Sequence, residues 1–165
     1  MPMADHDDPI AAPSVDPDAV EPSQSPLHVR PSAIAAVALG GLLGAPARYG
    51  LEVAFPQVGG QWPVTTFAIN VTGAFLLGVL LEGLSRLGPD TGWRQQLRLS
   101  VGTGVLGSFT TYSTLAVDTD ELLRRNDWWA AGSYAVGTVL VGALVTVIGI
   151  AVGARVPRRS EGAGR

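Results

Sequence analysis

The sequence predicts an all-helical integral membrane protein with four transmembrane helices, the third of them broken mid-membrane. Three observations carry that expectation. Four apolar runs follow one another from residue 34 onward, each about long enough to cross ~30 Å of hydrocarbon as a helix. All four tryptophans, Trp62, Trp93, Trp128 and Trp129, stand at the edges of those runs, where an amphipathic ring meets the headgroups. The third run contains GTGVLGSFTTYST, residues 102–114, with three glycines and seven hydroxyl-bearing side chains.

The first run, residues 34–55, is interrupted only by Arg48 and Glu52, and the second, residues 64–81, carries no charge. The third covers residues 97–116, and the fourth, residues 128–152, is again uncharged. Uncharged runs of this length are rare in soluble helical bundles, which argues against that alternative. Gly40 with Gly44, Gly41 with Ala45, and Gly149 with Gly153 are spaced four apart. Such spacing suits close helix contact, either within one chain or between subunits.

The transmembrane domain is expected over residues 32–156. Residues 1–31 hold seven of the twelve prolines and six acidic residues. A segment of that kind cannot bury enough apolar surface to offset its ordering entropy, so it is predicted to be a disordered acidic tail. It lacks the basic start and apolar core of a signal peptide. Residues 157–165 form a short basic tail.

Composition removes several function classes. The chain has no cysteine, so disulfide and thiolate chemistry are absent. Both histidines lie in the acidic tail, and no nucleophile–base pair suggests an enzyme. No GxxxxGK[ST] phosphate-binding motif occurs. A net charge of −3 gives no electrostatic case for a nucleic-acid partner. With four spans both termini share one side with the loop between the second and third spans. That side carries eight arginines against Arg124 and Arg125 on the other, which predicts cytoplasmic termini.

Polar groups inside a membrane are costly and therefore informative. Asn70 is near the middle of the second run, with Thr66 one turn earlier on the same helix face. Its amide can donate hydrogen bonds to an anion stripped of water, or it can serve as interhelical glue. Arg48 is either a snorkelling arginine paired with Glu52 one turn on, or a fixed positive charge in an aqueous vestibule. Glycines and threonines from Gly102 to Thr111 favour a helix break over a continuous helix whose hydroxyls bond back to its own carbonyls. Such a break frees carbonyl oxygens, which suit a hard monovalent cation. Tyr134 and Thr138 lie one turn apart on the fourth run. Thr66 and Asn70, then Thr111 and Ser113, then Tyr134 and Thr138 outline a polar track.

GGLLGAPARY, TFAINVTGAFLLG and GTGVLGSFTTYST, in that order across four short spans, resemble the CrcB/Fluc family of fluoride channels. The resemblance covers nearly everything from residue 34 to residue 152. It implies a passive fluoride channel of the bacterial cell membrane, built as an antiparallel dimer with two narrow pores and a central structural sodium ion. It assigns that sodium to the backbone carbonyls of Gly107 and Thr110 from both subunits. It also assigns the pore asparagine to Asn70, the vestibule arginine to Arg48, and the hydroxyl face of the fourth helix to Tyr134 and Thr138. The family's pair of phenylalanines beside the fluoride path falls on Tyr112 and Leu115. Leucine has no electropositive ring edge. That departure, with the arginine bias, points to a subunit that pairs with an oppositely oriented homologue. Two other readings stay open: a small proton-coupled multidrug exporter, disfavoured because Glu52 and Glu82 stand at span ends, and a non-conducting partner subunit of a heterodimer.

Overall fold

The computed structural model describes residues 30–57 and 61–158, and all regular structure in them is helical. Helix α1 spans Pro31–Ala54, opening on a proline whose missing N–H costs nothing at a helix start. Helix α2 is Val64–Arg86. The short α3, Gly92–Leu97, runs on into a π-helical segment, Arg98–Leu106, and one further turn, α4, Gly107–Phe109. Helices α5, Tyr112–Arg124, and α6, Trp128–Gly153, follow among the described residues. Helices α1, α2 and α6 are each long and apolar enough to cross a membrane. The third predicted span corresponds to the bent series from α3 to α5. The tails predicted for residues 1–31 and 157–165 lie almost wholly outside the described residues, although Pro31 already belongs to α1.

The break is real but displaced from the glycines. Thr110 and Thr111 are extended (φ −77°, ψ 156° and φ −144°, ψ 127°), whereas Gly102, Gly104 and Gly107 remain helical. Packing explains the difference. A Cβ on Gly104 would lie 2.7 Å from the Val37 carbonyl oxygen and 2.8 Å from the Gly40 Cα, so this glycine lets the π-helical segment lie directly against α1. Gly40 and Gly44 face the same contact, meeting Ser100 and Val105 backbone respectively. On the opposite side α2 packs against α6. There a Cβ on Gly78 would sit 2.5 Å from the Thr146 carbonyl and one on Gly153 would sit 2.7 Å from that of Val79. The Gly40/Gly44 and Gly149/Gly153 pairs therefore serve packing within the chain, while Gly41 opens onto free space.

Backbone contacts as close as these leave no flexible side chain to yield. Gly104→Val should therefore cost about 3 kcal/mol, the upper end of the usual overpacking range. Thermal unfolding in detergent measures it, with Gly41→Ala as the comparison expected to stay close to wild type. Equal melting temperatures for the two variants would show that α1 and the π-helical segment can part without loss.

The turn between α5 and α6 is held by Asn126 in the left-handed region (φ 60°), by the Asp127 N–H on the Leu122 carbonyl at 3.1 Å, and by the Asp127 side chain capping the Ala130 N–H at 3.0 Å. It lets Leu122, Ala131 and Tyr134 form a buried cluster, with Trp62, Phe67 and Leu115 packed around it.

Candidate functional site at the helix break

An unbroken helix would bond the Thr111 N–H to the Gly107 carbonyl and the Thr114 N–H to that of Thr110. Neither bond forms. The Thr111 N–H donates to Asn70 Oδ1 at 2.8 Å, and Asn70 Nδ2 donates back to the Thr111 carbonyl at 2.9 Å. The Thr114 N–H bonds Thr111 Oγ1 at 3.1 Å, making Thr111 the N-cap of α5. The carbonyls of Gly107 and Thr110 thus lose their helical donors. On the other side of the break, Arg48 of α1 donates from Nε to the Ser108 carbonyl at 3.3 Å and pairs through Nη1 with Glu52 at 3.2 Å.

Asn70 is therefore neither plain glue nor a free ligand. It clasps both polar groups of one residue in the break, and one of its two amide N–H bonds remains for another partner. Asn70 lines an open cleft of about 290 Å³, together with Thr110, Thr111, Tyr112, Leu115 and Thr138. The N-terminal end of α5 borders the cleft and contributes partial positive charge there. Tyr112 is 82% exposed, so its ring has almost no packing within its own chain. Leu115 borders the cleft and touches the buried cluster of Tyr134. Ser113 is beside the break, its hydroxyl 3.1 Å from that of Thr111.

The remaining predicted residues fall elsewhere. Thr66 and Tyr134 do not line the cleft. Both are buried, and both donate to one carboxylate oxygen, Oδ2 of Asp118, at 3.0 Å each. Thr138 links the two regions, lining the cleft while its hydroxyl bonds the Tyr134 carbonyl at 2.6 Å. The outlined track is thus interrupted by an acidic residue that sequence reasoning missed. Asp118 lies just past the third apolar run, so it reads as a boundary charge. In the structure α5 continues to Arg124 and carries it inward, leaving it 8% exposed. The available signal was its position: four residues after Thr114 and three after Leu115, it shares their helix face.

The comparisons with known proteins agree with one another. The family described as CrcB-like protein, Camphor Resistance (CrcB), matches residues 35–150. Over 134 residues the chain is 47% identical to a protein of Leifsonia xyli subsp. xyli named fluoride-specific ion channel FluC 2, an alignment covering 81% of this chain and 92% of that one. It is 45% identical over 126 residues to FluC 3 of Streptomyces avermitilis, covering 76% of this chain and 60% of the relative. It is 42% identical to FluC 1 of Cutibacterium acnes, covering 76% and 87% respectively.

Proposed function

The chain belongs to the CrcB family, and from that premise we propose that it is a subunit of a fluoride channel. It is a multi-pass membrane protein, with three helices able to span, and the bent series α3 to α5 supplies the fourth crossing in this reading. The observation that carries the proposal is the Asn70 amide, clasped to Thr111 with one donor left over beside an open cleft. Such a donor, fixed before the ion arrives, can replace part of fluoride's hydration shell.

Transport in this reading is passive. Hydrogen fluoride crosses bilayers as the neutral acid and dissociates in the cytoplasm. An inside-negative potential then favours fluoride exit by ~2.3 kcal/mol per charge per 100 mV. In this reading a second subunit closes the open cleft. An antiparallel partner would bring its own asparagine to Tyr112 and Leu115, and its own phenylalanine positions to Asn70. The Gly107 and Thr110 carbonyls, deprived of helical donors, are neutral hard oxygens that fit a sodium ion shared between two subunits. That ion would supply the positive charge that makes a dehydrated break tolerable at membrane depth. Arg48 would stand in the vestibule.

Liposomes containing the protein and loaded with fluoride test the reading. Efflux with fluoride, and none with chloride, is expected without any proton gradient. Asp118 supplies the buried carboxylate that a proton-coupled exporter would need, so export that requires a proton gradient would replace the channel reading with that one. The arginine distribution further predicts cytoplasmic termini. A reporter fused to the C-terminus should be found inside the cell, and equal labelling on both sides would remove the topological case for a heterodimer.

A further inference from the structure

We propose that Arg48, steadied by Glu52, is a positioning residue that sets which carbonyls of the helix break stay free. The inference rests on the channel reading above and adds a role that attraction of anions does not supply. The break takes the helical donors of the Gly107 and Thr110 carbonyls, because the Thr111 and Thr114 N–H groups bond side chains instead. Ser108 alone is claimed from outside, by the Arg48 Nε–H at 3.3 Å. Its side chain packs on the same helix, because the Ser108 hydroxyl lies too close to Gly44 of α1 to admit a Cβ there and approaches the Gly41 carbonyl at 3.5 Å, while it bonds back to the Gly104 carbonyl of its own segment at 2.7 Å. Helix α1 therefore grips Ser108 by both backbone and side chain. On the far side α2 grips Thr111 through Asn70.

Between these two grips the Gly107 and Thr110 carbonyls are left without helical donors. A guanidinium on the Ser108 oxygen also cancels the partial negative charge that would otherwise compete for a cation. Glu52, one turn along α1, fixes the arginine through the 3.2 Å ion pair. Arg48 and Glu52 are each somewhat over a quarter exposed at the side chain, so the pair is reachable by water yet restrained on two sides.

The two roles of Arg48 predict opposite results for Glu52→Gln. A charge that merely concentrates anions becomes stronger when the neighbouring carboxylate is removed, whereas a positioned arginine loses its support. Two measurements separate them: hydrogen exchange at the amides of residues 111–114, and the sodium concentration giving half of the maximal thermal stabilisation, with N-methylglucamine as the replacement cation. Arg48→Gln should raise the sodium midpoint by about tenfold, the fold-change expected when a charge-assisted hydrogen bond is lost, and should speed exchange at the break. Glu52→Gln should move both in the same direction by less, and Arg48→Lys should recover part of each. Wild-type midpoint and exchange in both neutral variants would overturn the proposal, as would faster fluoride efflux from Glu52→Gln with an unchanged midpoint. If wild type itself shows no response to sodium, the cation reading fails and the exchange data alone decide Arg48. Should Arg48→Gln not fold, Arg48→Lys and Glu52→Gln carry the same comparison.

Discussion

Asn70→Asp should lower fluoride efflux by at least ~100-fold, equivalent to ~2.7 kcal/mol of barrier. The substitution is nearly isosteric and keeps an oxygen acceptor for the Thr111 N–H, now 2.8 Å from Asn70 Oδ1. It removes the donor that reaches the Thr111 carbonyl and the second donor of a residue that lines the cleft. It also introduces negative charge where an anion must pass. Asn70→Ala should reduce efflux as strongly, but for a mixed reason, because it strands both backbone groups of Thr111. Leaving a part-buried donor or acceptor unmade costs roughly 1–3 kcal/mol, so the alanine variant should also melt earlier. The aspartate variant keeps the bond from the Thr111 N–H but sets an anionic oxygen against the Thr111 carbonyl, so it too should melt earlier than wild type. Liposome efflux, read beside thermal unfolding, separates conduction from folding. Wild-type efflux from a correctly assembled Asn70→Asp channel would return Asn70 to a purely structural clasp.

Most of the helical framework was legible because its signal is one of length and charge. The uncharged runs at residues 64–81 and 128–152 reappear as α2 and α6. Tryptophans at the run edges remain near helix ends, with Trp128 opening α6. The break was legible within the segment from Gly102 to Thr111, but not which of its residues leave the helix. Glycine reads as helix-weakening, yet Gly104 is present because α1 approaches too closely for a Cβ. The threonines break the chain because Asn70 offers Thr111 an alternative hydrogen-bonding partner. That competition is between helices distant in sequence, so no local pattern reports it. Asp118 escaped for a related reason. A carboxylate just after an apolar run looks like the end of a span, and only the packing of α5 on α6 brings it to Thr66 and Tyr134. Arg48 was legible as two alternatives, and the contact with Ser108 belongs to neither.

Leu115→Phe should raise fluoride flux through one of the two pores of a heterodimer and leave the other unchanged. In the proposed antiparallel arrangement each pore takes its asparagine from one subunit and its aromatic pair from the other. The pore using Asn70 would then meet the partner's aromatic residues, while the second would combine the partner's asparagine with Tyr112 and Leu115. Tyr112, 82% exposed on its own chain, can offer a ring edge to that second pore. Leu115 offers only an apolar wall, since the positive rim that an aromatic edge presents to a dehydrated anion is missing. A deficit of only ~1.4 kcal/mol already slows passage about tenfold, so the Asn70 pore should carry most of the current. Leu115 also packs against the buried cluster of Leu122, Ala131 and Tyr134, which limits how freely a phenylalanine can turn toward the cleft. The gain should therefore be smaller than a full tenfold, and a melting temperature close to wild type would show that the ring is accommodated. Mutating the asparagine of each subunit in turn, with efflux as the readout, exposes the asymmetry directly. Loss of Asn70 should remove most of the flux, whereas loss of the partner's equivalent should remove little until Leu115→Phe is added. Equal losses from the two asparagine variants would show that the leucine conducts as well as an aromatic ring and that the two pores are equivalent.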